Sequence, residues 1–275
     1  MSGRLEIKSL SHAYALRDVL EDINLELTAG HTLALVGPSG CGKTTLLHLC
    51  AGLLTLQKGE LYNGFASSAV MFQQPRLLPW KNTLDNIALG LKAQGIDSRE
   101  RAARATAEAT TVGLDALALS QFPHELSGGM QSRAALARAL VLRPNLLLMD
   151  EPFSALDIGL KTQLYRLLAD RQAELGLAVL MITHDLMEAV RLADTLLVMA
   201  ADPGRIVYRV ALRKPARERS DAEVYQTTAW LLQQPAVCTS FELGLCTASE
   251  PVVIPMQCRV LAIDGVDETA KGVLV

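Results

Sequence analysis

Gly37-Pro38-Ser39-Gly40-Cys41-Gly42-Lys43-Thr44-Thr45 decides the fold class. It follows a short apolar strand, Thr32–Val36, and runs into an apolar helix predicted over Leu46 to Leu54. GxxxxGK[ST] between a strand and a helix is the context of a phosphate-binding P-loop. Glycines at these positions let backbone N–H groups turn inward around phosphate oxygens, and the helix N-terminus adds partial positive charge. Lys43 is expected to reach the β- and γ-phosphates, and Thr44 to offer a hydroxyl to Mg²⁺.

Farther along the chain, Leu146-Leu147-Leu148-Met149-Asp150-Glu151 reads as a buried strand ending in two carboxylates. A strand without polar alternation is one covered on both faces. Asp150 is placed to hold Mg²⁺, and Glu151 to take a proton from attacking water. The residues on either side set the architecture. Leu5, Ile7, Ile23, Leu25 and Leu27 alternate as in half-buried strands, and residues 56–72 read as further strands and turns. From about Pro75 to Leu142 the pattern turns helical. Asp97 caps one helix with Glu100 as capping-box partner, Gly113 stops it, and a second runs from Ser127 to Val141. Strand 177–183, helices 158–175 and 185–193, and strand 195–200 then alternate. This order predicts an α/β core carrying a helical insertion. Beyond Pro203-Gly204 the signal weakens: Ala222–Gln233 is expected as a helix, and 237–275 as β-like over Phe241–Leu245 and Val252–Ile263.

Composition narrows the function. With 26 Lys and Arg against 29 Asp and Glu, the net charge of −3 gives no excess positive charge to offset phosphate repulsion, so nucleic acid is not expected as a partner. Half the residues are hydrophobic, which excludes a disordered chain. No apolar run approaches the ~18–20 residues needed to span a bilayer, and Met1-Ser2-Gly3-Arg4 does not open a signal peptide. Five cysteines without a CxxC pair predict reduced thiols rather than a disulfide framework or zinc site, with pairing of Cys238 and Cys246, or metal binding together with Cys258, as the lesser alternative. Among them, Cys41 sits in the P-loop beside Lys43, where N–H donors and the ammonium are expected to lower its pKa and make alkylation inhibitory.

Leu126-Ser127-Gly128-Gly129-Met130 then brings a family into view. The sequence resembles the ATP-binding cassette (ABC) ATPases, the nucleotide-binding subunits of ABC transporters, over about residues 4–205. The pentapeptide resembles the ABC signature, whose fifth residue is more often Gln. Its Ser-Gly-Gly backbone opens a helix and forms a second phosphate-binding end. The resemblance implies a P-loop NTPase cassette: a RecA-like core, an antiparallel β subdomain, a helical subdomain inserted at about 75–142, and a C-terminal extension over 206–275. It implies two cassettes joined head to tail, with two ATP molecules and Mg²⁺ between them. Ser127, Gly128 and Gly129 then serve the ATP bound by Gly37, Pro38, Ser39, Gly40, Cys41, Gly42, Lys43, Thr44 and Thr45 of the other copy. Residue by residue, Tyr14 is similar to the aromatic that stacks on adenine. Gln73 resembles the Q-loop glutamine that touches Mg²⁺ and the attacking water, with Gln74 the neighbouring candidate. Ser154-Ala155-Leu156-Asp157 resembles the D-loop, and His184 the switch histidine that senses the γ-phosphate.

A transporter motor competes with a soluble ABC ATPase, which usually carries two cassettes or a coiled-coil insertion. A P-loop kinase or GTPase is disfavoured by the signature and the absence of NKxD. The segment Pro75-Arg76-Leu77-Leu78-Pro79-Trp80 resembles the stretch of importer ATPases that lies under the permease, and an exposed apolar run there is expected to dock it. With Asp202-Pro203-Gly204-Arg205-Ile206, it is similar to the nitrate, sulfonate and taurine importer group. That implies a permease and a substrate-binding protein as separate chains, and a peripheral location at the cytoplasmic face of the inner membrane. The group usually reads Arg-Gln-Arg where this chain has Gln131-Ser132-Arg133.

Overall fold

The structure is a computed structural model that describes residues 3–242, 255 and 258–263. The chain opens with β1 (Arg4–Tyr14) and β2 (Arg17–Thr28), paired antiparallel, followed by β3 (Thr32–Val36) and α1 (Lys43–Cys50). β4 (Lys58–Asn63) joins β1 to make a three-stranded antiparallel sheet, and β5 (Ser68–Met71) enters the main sheet. Leu5, Ile7, Ile23, Leu25 and Leu27 are buried and their neighbours face outward, the alternation expected of a half-buried sheet.

The helical insertion lies between β5 and β6. It holds α2 (Thr83–Ile87), α3 (Leu89–Ala93), α4 (Ser98–Thr111), α5 (Ala116–Ser120) and α6 (Gly128–Leu140). Asp97 caps α4 by accepting from the Arg99 and Glu100 amides, and Gly113 leaves it with φ 77°, which suits a residue without Cβ. Glu100 does not close a capping box; it pairs with Arg104 one turn on. The small side chains of α6 (Ala134, Ala135, Ala137 and Ala139) are buried and let it pack closely on its neighbours.

The core alternation follows as β6 (Leu146–Asp150), α7 (Ile158–Leu175), β7 (Ala178–Ile182), α8 (Leu186–Leu192), β8 (Thr195–Ala200) and β9 (Arg205–Leu212). α9 (Asp221–Leu231), α10 (Pro235–Ser240) and β10 (Cys258–Val260) complete it. The main sheet runs β10-β9-β8-β3-β7-β6-β5. β8, β3, β7, β6 and β5 are parallel; β9 and β10 are antiparallel. Every residue of β3, β6 and β7 is buried, which is why these segments read as unbroken apolar runs. Alternate residues feed two cores. Leu147 and Met149 pack under the insertion, while Leu146 and Leu148 face α1 and the small sheet. Each such leucine contributes about 1.5–3 kcal/mol on burial. Among the described residues, no helix is long and apolar enough to cross a membrane.

Several expectations change. α1 ends at Cys50 rather than Leu54. The sheet continues across residue 205 through β9, and Val224, Trp230, Leu231 and Val237 join the main core. The β-like reading of 237–275 gives way first to α10: Pro235 starts the helix, and its packing on β8 and β9 overrides the β-branched Val237 and Thr239. Phe241 and Glu242 form a turn, β10 keeps part of the second expected strand, and 243–254 lie outside the described residues. Cys41, Cys50 and Cys258 are free thiols, but Cys238 is disulfide-bonded, since the lack of a CxxC pair argues against metal sites and says little about a single crosslink.

Candidate functional site

The neighbouring parallel strands β3, β7, β6 and β5 end at one rim, and each delivers a chemical group there. β3 runs into Gly37–Thr45, β5 into Gln73, β6 into Asp150 and Glu151, and β7 into Thr183 and His184.

The P-loop curls around its own lysine. Lys43 Nζ donates to the Gly37 and Pro38 carbonyls at 2.8 Å each and lies 3.6 Å from Cys41 Sγ. Two glycines are required by space. A Cβ on Gly37 would stand 2.5 Å from the Met199 carbonyl oxygen. One on Gly42, whose φ is +91°, would stand 2.7 Å from Leu20 Cδ2. Gly42 is the N-cap of α1, so the first amides of that helix face the loop's interior, where an anion is favoured. A third glycine supports the loop from outside: a Cβ on Gly204 would fall 2.1 Å from the Cys41 carbonyl oxygen. The resemblance picked out the Asp202–Ile206 stretch, but its use, a backbone-to-backbone seat for the P-loop, is visible only in three dimensions.

Beside it, Thr44 Oγ1 donates to Asp150 Oδ2 at 2.8 Å. Burial pushes the Asp150 carboxyl above its ordinary value, helped by the Glu151 charge and opposed by the Thr44 hydrogen bond and by His48 and Lys43. A hydroxyl and a carboxylate, both hard oxygen donors, fit Mg²⁺, which typically takes one or two protein oxygens and completes its shell with water and phosphate.

Glu151 has φ 44°, a left-handed conformation unusual for a residue with a side chain, and its amide is tied to the Ile182 carbonyl at 2.9 Å. Its two oxygens are both engaged. Gln73 Nε2 donates to Oε2 at 3.0 Å, and His184 Nδ1 lies 3.1 Å from Oε1. Gln73, not Gln74, makes this contact. A carboxylate oriented by an amide and an imidazole, beside a metal-type oxygen pair, is a suitable arrangement for activating water.

The remaining expected residues lie on other elements. Ser127 caps α6 by accepting from the Met130 amide at 3.3 Å. A Cβ on Gly128 would meet nothing within 4 Å, and one on Gly129 would lie 3.5 Å from the Ala155 carbonyl oxygen. Asp157 caps α7 through the Leu160 amide. Among the described residues, no hydrogen bond links Ser127–Gly129 or Asp157 to the P-loop. The start of α6 at Gly129 thus lies against the Ala155–Leu156 segment. Gln131, where the family usually has Arg, donates to the Pro123 and Leu126 carbonyls and braces the segment before the signature. Tyr14 is half-exposed, edge-on to His12 with ring centroids 5.0 Å apart.

Two expectations are corrected. Cys41 is 1% exposed, and burial pushes its thiol up more than Lys43 lowers it, so it is not an activated thiolate. In the Pro75–Trp80 segment the apolar run is not uniformly exposed. Trp80 is 72% exposed, whereas Leu77 packs on the core and the Leu78 backbone is pinned by Asn86 at 2.7 Å and 3.1 Å. Arg138 holds the Pro75 and Arg76 carbonyls at 2.7 and 2.8 Å, and the Arg76 guanidinium stacks on Phe72.

Residues 20–154 match the profile of the ABC transporter family. The chain is 43% identical over 215 residues to the taurine import ATP-binding protein TauB of Escherichia coli (strain K12), covering 76% of this chain and 84% of that protein. The protein of the same name from Shigella flexneri is 42% identical with the same coverage. The dimeric structure of MJ0796, a bacterial ABC transporter cassette, superposes with a TM-score of 0.71 at 27% identity, covering 76% of this chain and 99% of that one. The dimeric post-hydrolysis state of MJ0796 bound to ADP and Pi gives a TM-score of 0.70.

Proposed function

This chain belongs to the ABC transporter family and is an ATPase, and we propose that it powers a membrane importer of a small sulfonate such as taurine. The observation that carries the hydrolytic part is Glu151, held between Gln73 and His184 beside the Thr44–Asp150 pair. Identity to taurine import ATP-binding proteins supports the solute class.

In this reading two copies associate head to tail. The P-loop amides and Lys43 of one copy bind the ATP phosphates, and Tyr14 stacks on the base. Ser127, Gly128 and Gly129 of the second copy approach the same γ-phosphate through their open helix end. Asp157 lies at the same boundary. Thr44, Asp150 and Gln73 would hold Mg²⁺, which supplies charge neutralisation on the phosphates. Glu151 accepts the proton of attacking water, Gln73 fixes the orientation of its carboxylate, and His184 ties it to the γ-phosphate side. Closure moves the helical insertions, and the surface around Trp80 passes that motion to a separate permease at the cytoplasmic face. A solute-binding protein delivers solute to that permease and does not touch this chain.

Glu151→Gln tests the chemistry. Turnover should fall by about 10²–10⁴ while ATP binding persists, because an amide keeps the shape but takes no proton. In ATP and Mg²⁺ the variant should run as a dimer on size exclusion. Persistent turnover would remove Glu151 from this role. Purifying the ATP-trapped variant from native membranes tests the coupling: a multi-spanning partner and taurine uptake lost on gene deletion are expected, and only soluble partners would reassign the chain to a soluble ATPase.

A further inference from the structure

Behind the catalytic rim lies a polar cluster that the hydrolytic reading leaves unused. Glu188, in the first turn of α8, is 4% exposed among Leu186, Ala189, Val190 and Leu192, all buried. A carboxylate is costly in such a place unless it is hydrogen-bonded. Tyr165 of α7 donates its hydroxyl to Glu188 Oε1 at 3.0 Å, and the nearby Thr183 hydroxyl favours the charged form of the same carboxylate. Burial still pushes Glu188 up, against these two hydroxyls and the Lys161 charge, with Asp185 adding to the rise.

Each hydroxyl leads to one member of the catalytic pair. Thr183 immediately precedes His184, and its Oγ1 also accepts the Asp185 amide at 3.1 Å, so it fixes the loop on both sides of the histidine. Tyr165 packs edge-on against Phe153, centroids 5.0 Å apart at 87°. Phe153 is fully buried, stands two residues after Glu151, and accepts the Leu156 amide at 3.1 Å. The Glu188 carboxylate thus stands between the two segments whose side chains meet at 3.1 Å in the His184–Glu151 contact.

We propose that Glu188 is a positioning residue for hydrolysis: through Thr183 and Tyr165–Phe153 it sets the distance between His184 and Glu151. This rests on the hydrolytic reading of those two residues. The test compares Glu188→Leu, Glu188→Gln, Tyr165→Phe and Thr183→Val in the full chain, with Glu151→Gln as reference. ATPase kcat and KM and equilibrium binding of a fluorescent ATP analogue are measured for each. Loss of alignment should lower kcat about ten- to a hundredfold in Glu188→Leu and Thr183→Val with KM and affinity nearly constant. Glu188→Gln, which keeps an acceptor oxygen, should recover part of the rate. Tyr165→Phe and Thr183→Val should combine non-additively, since they share one carboxylate. If Glu188→Leu does not fold, the two hydroxyl deletions carry the test. Unchanged kcat in both, or kcat and affinity falling together, overturns the proposal. Should Glu151→Gln be inactive while the hydroxyl deletions stay active, only this proposal fails; should Glu151→Gln stay active, the hydrolytic reading itself fails.

Discussion

Asp150 and Glu151 are consecutive carboxylates in different surroundings. Asp150 is buried at the strand end, and burial raises its folded pKa above the ordinary 3.8. The folded protein without nucleotide therefore holds that proton more tightly than the unfolded chain. The sign follows: ionised Asp150 subtracts from stability above its folded pKa, and the penalty is relieved as pH falls through that value. Asp150→Asn removes the charge and keeps an oxygen for Thr44. It should raise the nucleotide-free Tm at pH 7 in calorimetry while cutting Mg²⁺-dependent ATPase by at least about a hundredfold, the scale of a lost metal contact. A lower Tm would mean that the Thr44 hydrogen bond to a full carboxylate outweighs its burial. The same competition settles Cys41 the other way from the local expectation, because the thiol's neighbours in space include buried apolar groups as well as the P-loop lysine.

At the scale of elements, the P-loop is held by segments far from it in the chain. The β8–β9 connection passes so close that Gly204 has no room for a side chain against the Cys41 carbonyl, and its backbone bonds Val19 and Glu21 at 3.0 Å each. Gly204→Ala should push the loop off its seat. KM for ATP should rise several-fold, and urea denaturation should show a loss of about 1–3 kcal/mol, typical of overpacking. Equal KM and stability would mean that the connection yields without moving the loop. A comparable clamp sits on α8. The Arg219 guanidinium, buried and with its pKa pushed down to about 10, donates to the carbonyls of Lys214 and Val190 at 2.7 Å and of Leu212 at 3.4 Å.

Across the molecule, the proposed importer reading requires the rim chemistry to reach a partner through the helical insertion. Trp80 is the large apolar side chain that the Pro75–Trp80 segment presents to solvent, and Leu77 and Leu78 anchor the segment beneath it. Trp80→Ser should weaken co-purification with the permease by roughly thirtyfold or more, as for a truncated aromatic anchor. The ATPase rate of the isolated chain should not change. Undiminished co-purification would place the docking surface elsewhere on the insertion.

The strands β3, β6 and β7, the cap and stop of α4, the start of α6 and the P-loop were all legible in the linear sequence. Hydrophobic period, turn glycines and capping side chains act within a few residues, so a linear reading captures them. It also placed the catalytic candidates at strand ends, since the strand that precedes each one is apolar throughout. Long-range packing fixed the rest. It set Gln73 against Glu151, joined Thr44 to Asp150, set Gly204 beneath Cys41, buried that thiol, and turned 235–240 into helix. Each of these depends on what a segment meets from a distant part of the chain, where packing and desolvation outweigh local preference.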